Sequence, residues 1–255
     1  QLEIQTDMNR RLSGSEIGLV HRWPLDEGSG TTAFDRAGSA DGLITGAAWS
    51  TRLDLPIVSD LPSGSWISAA GGDWAAAANW HDSLPAQGVG ATAYFTNRPP
   101  AAITVHNNMA GLSLGTLVVN GTHSHTFTGN AVTLTNETGS AVITTDSGAH
   151  TLALPLTTTA SGLSIATLAP GAFSVGGVIG GTGALAVNPA GSGGGTVTLA
   201  AANTFTEPLT LGCGTLAVAL LADGGQPSAI GAATGDPANL ILGPGTLRYT
   251  GPAVT

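Results

Sequence analysis

From Ile103 onward the chain is a succession of short apolar phrases: ITV, LSLGTLVV, HTF, AVTLT, AVITT, HTLALPL, LSIATL, FSVGGVI, ALAV, TVTL, LTL, TLAVALL, NLIL and TLRY. Each alternates or clusters Val, Ile, Leu and Thr, then breaks at glycine, asparagine or proline. β-Branched residues fit a pleated, half-buried surface, and glycine permits the sharp turns between phrases. No 3.6-residue apolar stripe runs through the region, so the pattern predicts an all-β chain of short strands. Comparable phrases recur about every 20 residues, from 115–119 to 131–135 to 150–154. A unit that short buries its apolar face only by stacking on neighbours, so the repeat predicts a β-solenoid. Its clearest copy is 176–218, where Glu207 is the one charged side chain.

The first hundred residues are less regular. Leu2, Ile4, Met8 and Leu12 approximate one helix face, making 1–18 the best helix candidate. Leu19 to Leu25 reads as a strand, DEGSG as a turn, and Ala33–Phe34 and 42–49 as two further apolar points. Residues 51–64, with two prolines among scattered Asp and Ser, read as a linker. Three tryptophans follow, Trp66, Trp74 and Trp80. They predict an aromatic lid over the first rung, because the open end of a solenoid is otherwise adhesive. The functional alternative is a glycan-binding platform, since tryptophan faces suit pyranose rings.

Composition narrows the partners. Charged residues make up 9% of the 255, there is no lysine, and net charge is −9. Phosphate binding needs clustered cations, so nucleic acid and anionic membrane are not expected partners. No apolar run approaches the ~18 residues of a membrane helix. Few charges also suit stacked rungs, where like charges would repel across the ~4.8 Å strand spacing. Cys213, alone between two glycines, reads as a small hydrophobe in a tight rung.

Two resemblances overlie this reading. EIQTDMNRRLSGSE and LVHRWPLDEGSGTTAFDRAGSADGLITGAAW resemble the C-terminal part of a LamG-like, concanavalin A-type jelly roll, over residues 1–50. Many such domains bind calcium or glycans. The resemblance brings in Asp26, Glu27, Asp35 and Asp41 as oxygen ligands for Ca2+, against the plainer reading of solvated turn carboxylates. Residues 65–255 resemble the autotransporter-associated β-helix repeat. Gly183–Val187, Gly195–Leu199, Ala202–Thr206 and Gly214–Val218 follow its phrase in order. Ala186 stands where the family has Lys, Phe205 for the common Tyr, and Glu207–Pro208 for a glycine pair. This resemblance implies a right-handed parallel β-helix in a secreted bacterial surface protein. The chain breaks off mid-pattern at both ends, suggesting a piece of a longer protein.

Chemistry is sparse. Polysaccharide lyases and hydrolases on β-helices need clustered carboxylates, usually with a cation. After residue 60 the carboxylates are dispersed; Glu137 and Asp146 are the pair most able to meet on successive rungs. His123 and His125 share a strand face, and with His106 or His150 they suggest either a metal site or unpaired exposed histidines. Asn120, Asn130, Asn136, Asn188 and Asn203 fall at turns and suggest stacked ladders. No catalytic residue is assigned. The expected function is a non-enzymatic extracellular stalk or filament subunit, self-associating through open ends. A glycan-binding module is the alternative, and a polysaccharide-degrading enzyme comes third.

Overall fold

The computed structural model describes residues 18–25, 29–47, 63–189, 191 and 193–252. The chain divides into two compact units, Gln1–Asp60 and Leu61–Thr255. The helix expected over 1–18 and the expected linker lie almost wholly outside the described residues.

In the first unit, Thr32–Ala33 pairs antiparallel with Gly42–Leu43. No strand forms over 19–25, contrary to the alternation there. That segment is held by a loop contact instead, the Arg36 N–H donating to Arg22 O at 2.7 Å.

The second unit is all-β, a parallel β-solenoid with three faces. Face I stacks eight strands: 64–65, 92–95, 116–119, 141–145, 163–167, 185–187, 209–211 and 240–242. Face II stacks another eight: 72–73, 103–107, 125–129, 149–152, 172–175, 196–199, 215–218 and 246–249. Face III has four, 112–114, 132–134, 156–158 and 179–181. Below these, irregular backbone continues the third face, with Thr204 N–H donating to Ile179 O at 2.9 Å.

The three phrases used to estimate the repeat belong to three different faces: 116–119 to face I, 132–134 to face III and 149–152 to face II. Partners on face I are somewhat farther apart. Leu117 pairs with Ile143, Ile143 with Ile165, Ile165 with Val187 and Val187 with Leu211, intervals of 22 to 26 residues. On the other faces Leu112 pairs with Val132 and Val197 with Leu216, 20 and 19 residues apart, so the expected period of about 20 is the short end of the real range, although the phrases used to estimate it lie on different faces.

Period-2 alternation sends one side of every strand inward. Leu163, Ile165 and Thr167 are buried, while Ser164 and Ala166 are partly exposed. Columns of like residues result, as in Ile143, Ile165, Val187 and Leu211, all fully buried. Burying each such side chain contributes about 1.5–3 kcal/mol. The corners demand glycine where backbones touch. Gly181 has φ +106°, and a Cβ there would collide with the Thr158 carbonyl oxygen.

Candidate functional site

The start of the solenoid is an aromatic cluster. Trp66, Trp74 and Trp80 are 1–2% exposed. Their rings pack on one another and on Phe95 with centroids 5.0–5.6 Å apart. Each indole N–H is satisfied by a backbone carbonyl: Trp66 by Ser68 (2.9 Å), Trp74 by Ala86 (2.9 Å) and Trp80 by Trp74 (2.7 Å). Trp74 and Trp80 are six residues apart, an even spacing that would put them on one face of a continuous strand. The intervening 77–79 is instead a single 3-10 turn, which folds Trp80 back over Trp66. With their faces covered, these rings offer a sugar no platform.

The same segment blunts the first strands. Ile67 N–H donates to Asn79 O (2.8 Å), and the Asn79 amide donates to Asp73 O (2.9 Å). The edge that would recruit another strand is thereby occupied. The opposite end differs. The strands 240–242 and 246–249 are the last of their faces, with Ile241, Leu242 and Tyr249 between 42 and 51% exposed.

Of the residues suggested for calcium, Asp26 and Glu27 lie outside the described residues. Asp35 is buried and acts as the hub of its loop. Its Oδ1 accepts from the N–H groups of Arg22 (2.8 Å), Ala37 (3.1 Å) and Gly38 (2.9 Å). Its Oδ2 accepts from Ala40 N–H (3.1 Å) and meets His21 Nδ1. Asp41 turns its Oδ1 to the Asp35 N–H (2.9 Å). Both Asp35 oxygens face hydrogen donors, an arrangement that does not fit a Ca2+ ligand, which must turn free lone pairs to the ion. Burial pushes the Asp35 carboxyl up, but the bonds from Arg22, His21, Gly38 and Ala40 outweigh it. The group is held well below the usual carboxylate range.

The histidines divide in a way their sequence spacing does not reveal. His106 and His123 are exposed, whereas His125 and His150 are buried. They occupy an inward column of face II that runs Ile103, His125, His150, Phe173, Val197, Leu216. Their rings lie 5.2 Å apart, with the two Nδ1 atoms separated by 3.3 Å. His150 Nε2 is 2.8 Å from Ser147 O, and its Nδ1 accepts the His125 backbone N–H at 3.1 Å. His125 Nε2 faces Asn97 Oδ1 at 3.4 Å. Burial, then the neighbouring His150 charge, lowers His125 to about 4 against an opposing bond at His123. Burial likewise lowers His150, opposed by the Ser147 carbonyl. Both rings are therefore neutral near pH 7.

The remaining candidates stand apart. Glu137 and Asp146 are exposed, and Asp146 is engaged by Asn120, whose amide donates to Oδ2 at 3.2 Å. Cys213 Sγ is surrounded by the carbonyls of Asn188 and Gly193, at 3.2 and 2.6 Å. The corner asparagines bond mainly to backbone of neighbouring rungs. Asn203 accepts from Ile179 N–H and donates to Ala229 O, both at 2.8 Å. Among the described residues, no group of three or more His, Cys, Asp or Glu is placed to hold a metal ion, and no helix is long and apolar enough to cross a membrane. No family model, no curated protein and no solved structure matches this chain.

Proposed function

We propose that residues 61–255 are a passive structural solenoid, a stiff stalk in a bacterial surface protein of the autotransporter-repeat type, with no chemistry of its own. The observation that carries this reading is the continuous, mainly apolar interior under three parallel faces, closed at one end by the tryptophan lid. A stack of nearest-neighbour rungs resists bending and local entry by proteases, because opening any rung exposes two apolar faces. The side chains that would grip a sugar or cleave one are inside the lid or dispersed. Self-association would run through strands 240–242 and 246–249, which pair on one side and present Leu242 and Tyr249 to a second copy stacked on the other.

Limited proteolysis with mass spectrometry tests the stalk. The expected product is a resistant core beginning before Trp66 and ending beyond Tyr249. Rapid cleavage within 92–218 would overturn it. Light scattering across a concentration series tests the association: dimers that Leu242→Lys disperses support it, and monomers throughout refute it. Protease treatment of intact source cells tests location, with removal expected and protection until lysis contradicting it.

A further inference from the structure

We propose that the His125–His150 pair is an acid-operated latch, closed while both imidazoles are neutral and driven open by proton uptake at that corner of face II. Both side chains fill core positions that the other rungs of the column give to Ile103, Phe173, Val197 and Leu216. Packing alone is met by those apolar residues, so the imidazoles add a property that packing does not require.

That property follows from what the four ring nitrogens meet. The two Nδ1 atoms lie 3.3 Å apart, His125 Nε2 faces Asn97 Oδ1, and His150 Nε2 faces the Ser147 carbonyl. Two neutral rings bring two hydrogens, enough for the Asn97 and Ser147 oxygens. The lone pair of His150 Nδ1 is already taken by the His125 backbone N–H, so a proton on that atom strands a buried donor and places a charge in the core, which burial opposes. Protons on both rings would set two like charges side by side across 3.3 Å. The closed corner therefore resists protons that solvated rings take at the ordinary imidazole value. Opening is coupled to uptake of one to two protons, so below about pH 6.5 the open population grows about 10- to 100-fold per pH unit.

Among the described residues, no other ionisable group is buried against the pair. The rings meet each other, Phe95 and Asn97. On the adjoining segments Arg98, His106, His123 and Asp146 are all exposed. The strand below, Ala172–Val175, carries none.

Hydrogen exchange of the full chain between pH 7 and 4.5, expressed as protection factors, tests the latch. Protection at Thr126, Phe127, Thr151 and Leu152 is expected to fall at least 10-fold per pH unit below 6.5, while Val197 to Leu199 and Leu216 to Val218 change little. The double variant His125→Leu/His150→Phe, which continues the apolar column, is expected to abolish the fall. A uniform loss across all strands, no loss, or a loss that persists in the variant would overturn the proposal. Should the variant not fold, imidazole NMR of the unaltered chain decides. Both rings neutral at pH 6 upholds the latch, and either ring titrating at or above 6.5 refutes it.

Discussion

Asn188 shows how single residues carry this fold. It adopts φ 43°, a left-handed turn that asparagine tolerates, and its side chain is fully buried. The Oδ1 accepts from Thr167 N–H (2.7 Å) and from the Thr167 hydroxyl (2.9 Å), and the amide donates to Gly195 O (3.0 Å). Asn188→Ala would strand these groups inside and keep a strained φ, costing about 1–3 kcal/mol for the lost partners, read as a lower urea midpoint. Asp35 gives a pH dependence in the first unit. Its folded carboxyl lies below the ordinary value of 3.8, so the unfolded chain binds the proton more readily. Its contribution is complete above pH 3.8 and is lost as pH falls through that value towards the folded one. Amide signals of Gly38 and Ala40 should report loop loss over that window, and Asp35→Asn should weaken the loop at pH 6. Persistence of the loop in the variant at pH 6 would contradict this assignment. At this scale the sequence was only partly legible. The turn asparagines were visible as turn formers, but their bonds run to backbone on neighbouring rungs, which no local pattern encodes. His125 and His150 looked like surface polar residues until register placed them in one inward column.

At the scale of elements, the strands were legible because period-2 alternation is local. The repeat was legible only in its approximate length, because the three faces have strands of similar composition and the corners differ in length. Only pairing distinguishes 116–119, 132–134 and 149–152 as members of different faces. The tryptophan lid was legible as a concentration of large apolar surface at the start of the pattern. Its fold-back was not, since the alanines 75–78 carry no directional signal. The lid closes by ring packing as well as burial, which adds about 0.5–1.5 kcal/mol for each aromatic pair. Trp80 touches Trp66, Trp74 and Phe95, so Trp80→Ala should cost about 3–5 kcal/mol. Exchange at residues 92–95 and 103–107 should accelerate first, ahead of 209–218. Equal protection of both ends after the change would mean the lid does not hold the first rungs.

The whole second unit is a stack in which each turn meets only the turns beside it. Stability is then close to a sum over neighbouring rungs, and the corner at His125 and His150 becomes a place where one interface can yield without dissolving the rest. The same arrangement makes a solenoid adjustable by whole turns. Ile143 and Ile165 pair directly, so the 22 residues 144–165 are one complete turn, leaving its neighbours matched in register once removed. After excision, 141–143 would face 185–187, and His125 would stack on Phe173 as apolar columns do elsewhere. The most direct test of the solenoid is therefore the chain lacking 144–165, examined by far-ultraviolet circular dichroism and hydrogen exchange. The stacked account predicts an unchanged β spectrum, a cooperative unfolding transition and retained protection at 112–119 and 196–199. An unfolded or aggregated product, or loss of protection on both sides of the junction, would contradict it.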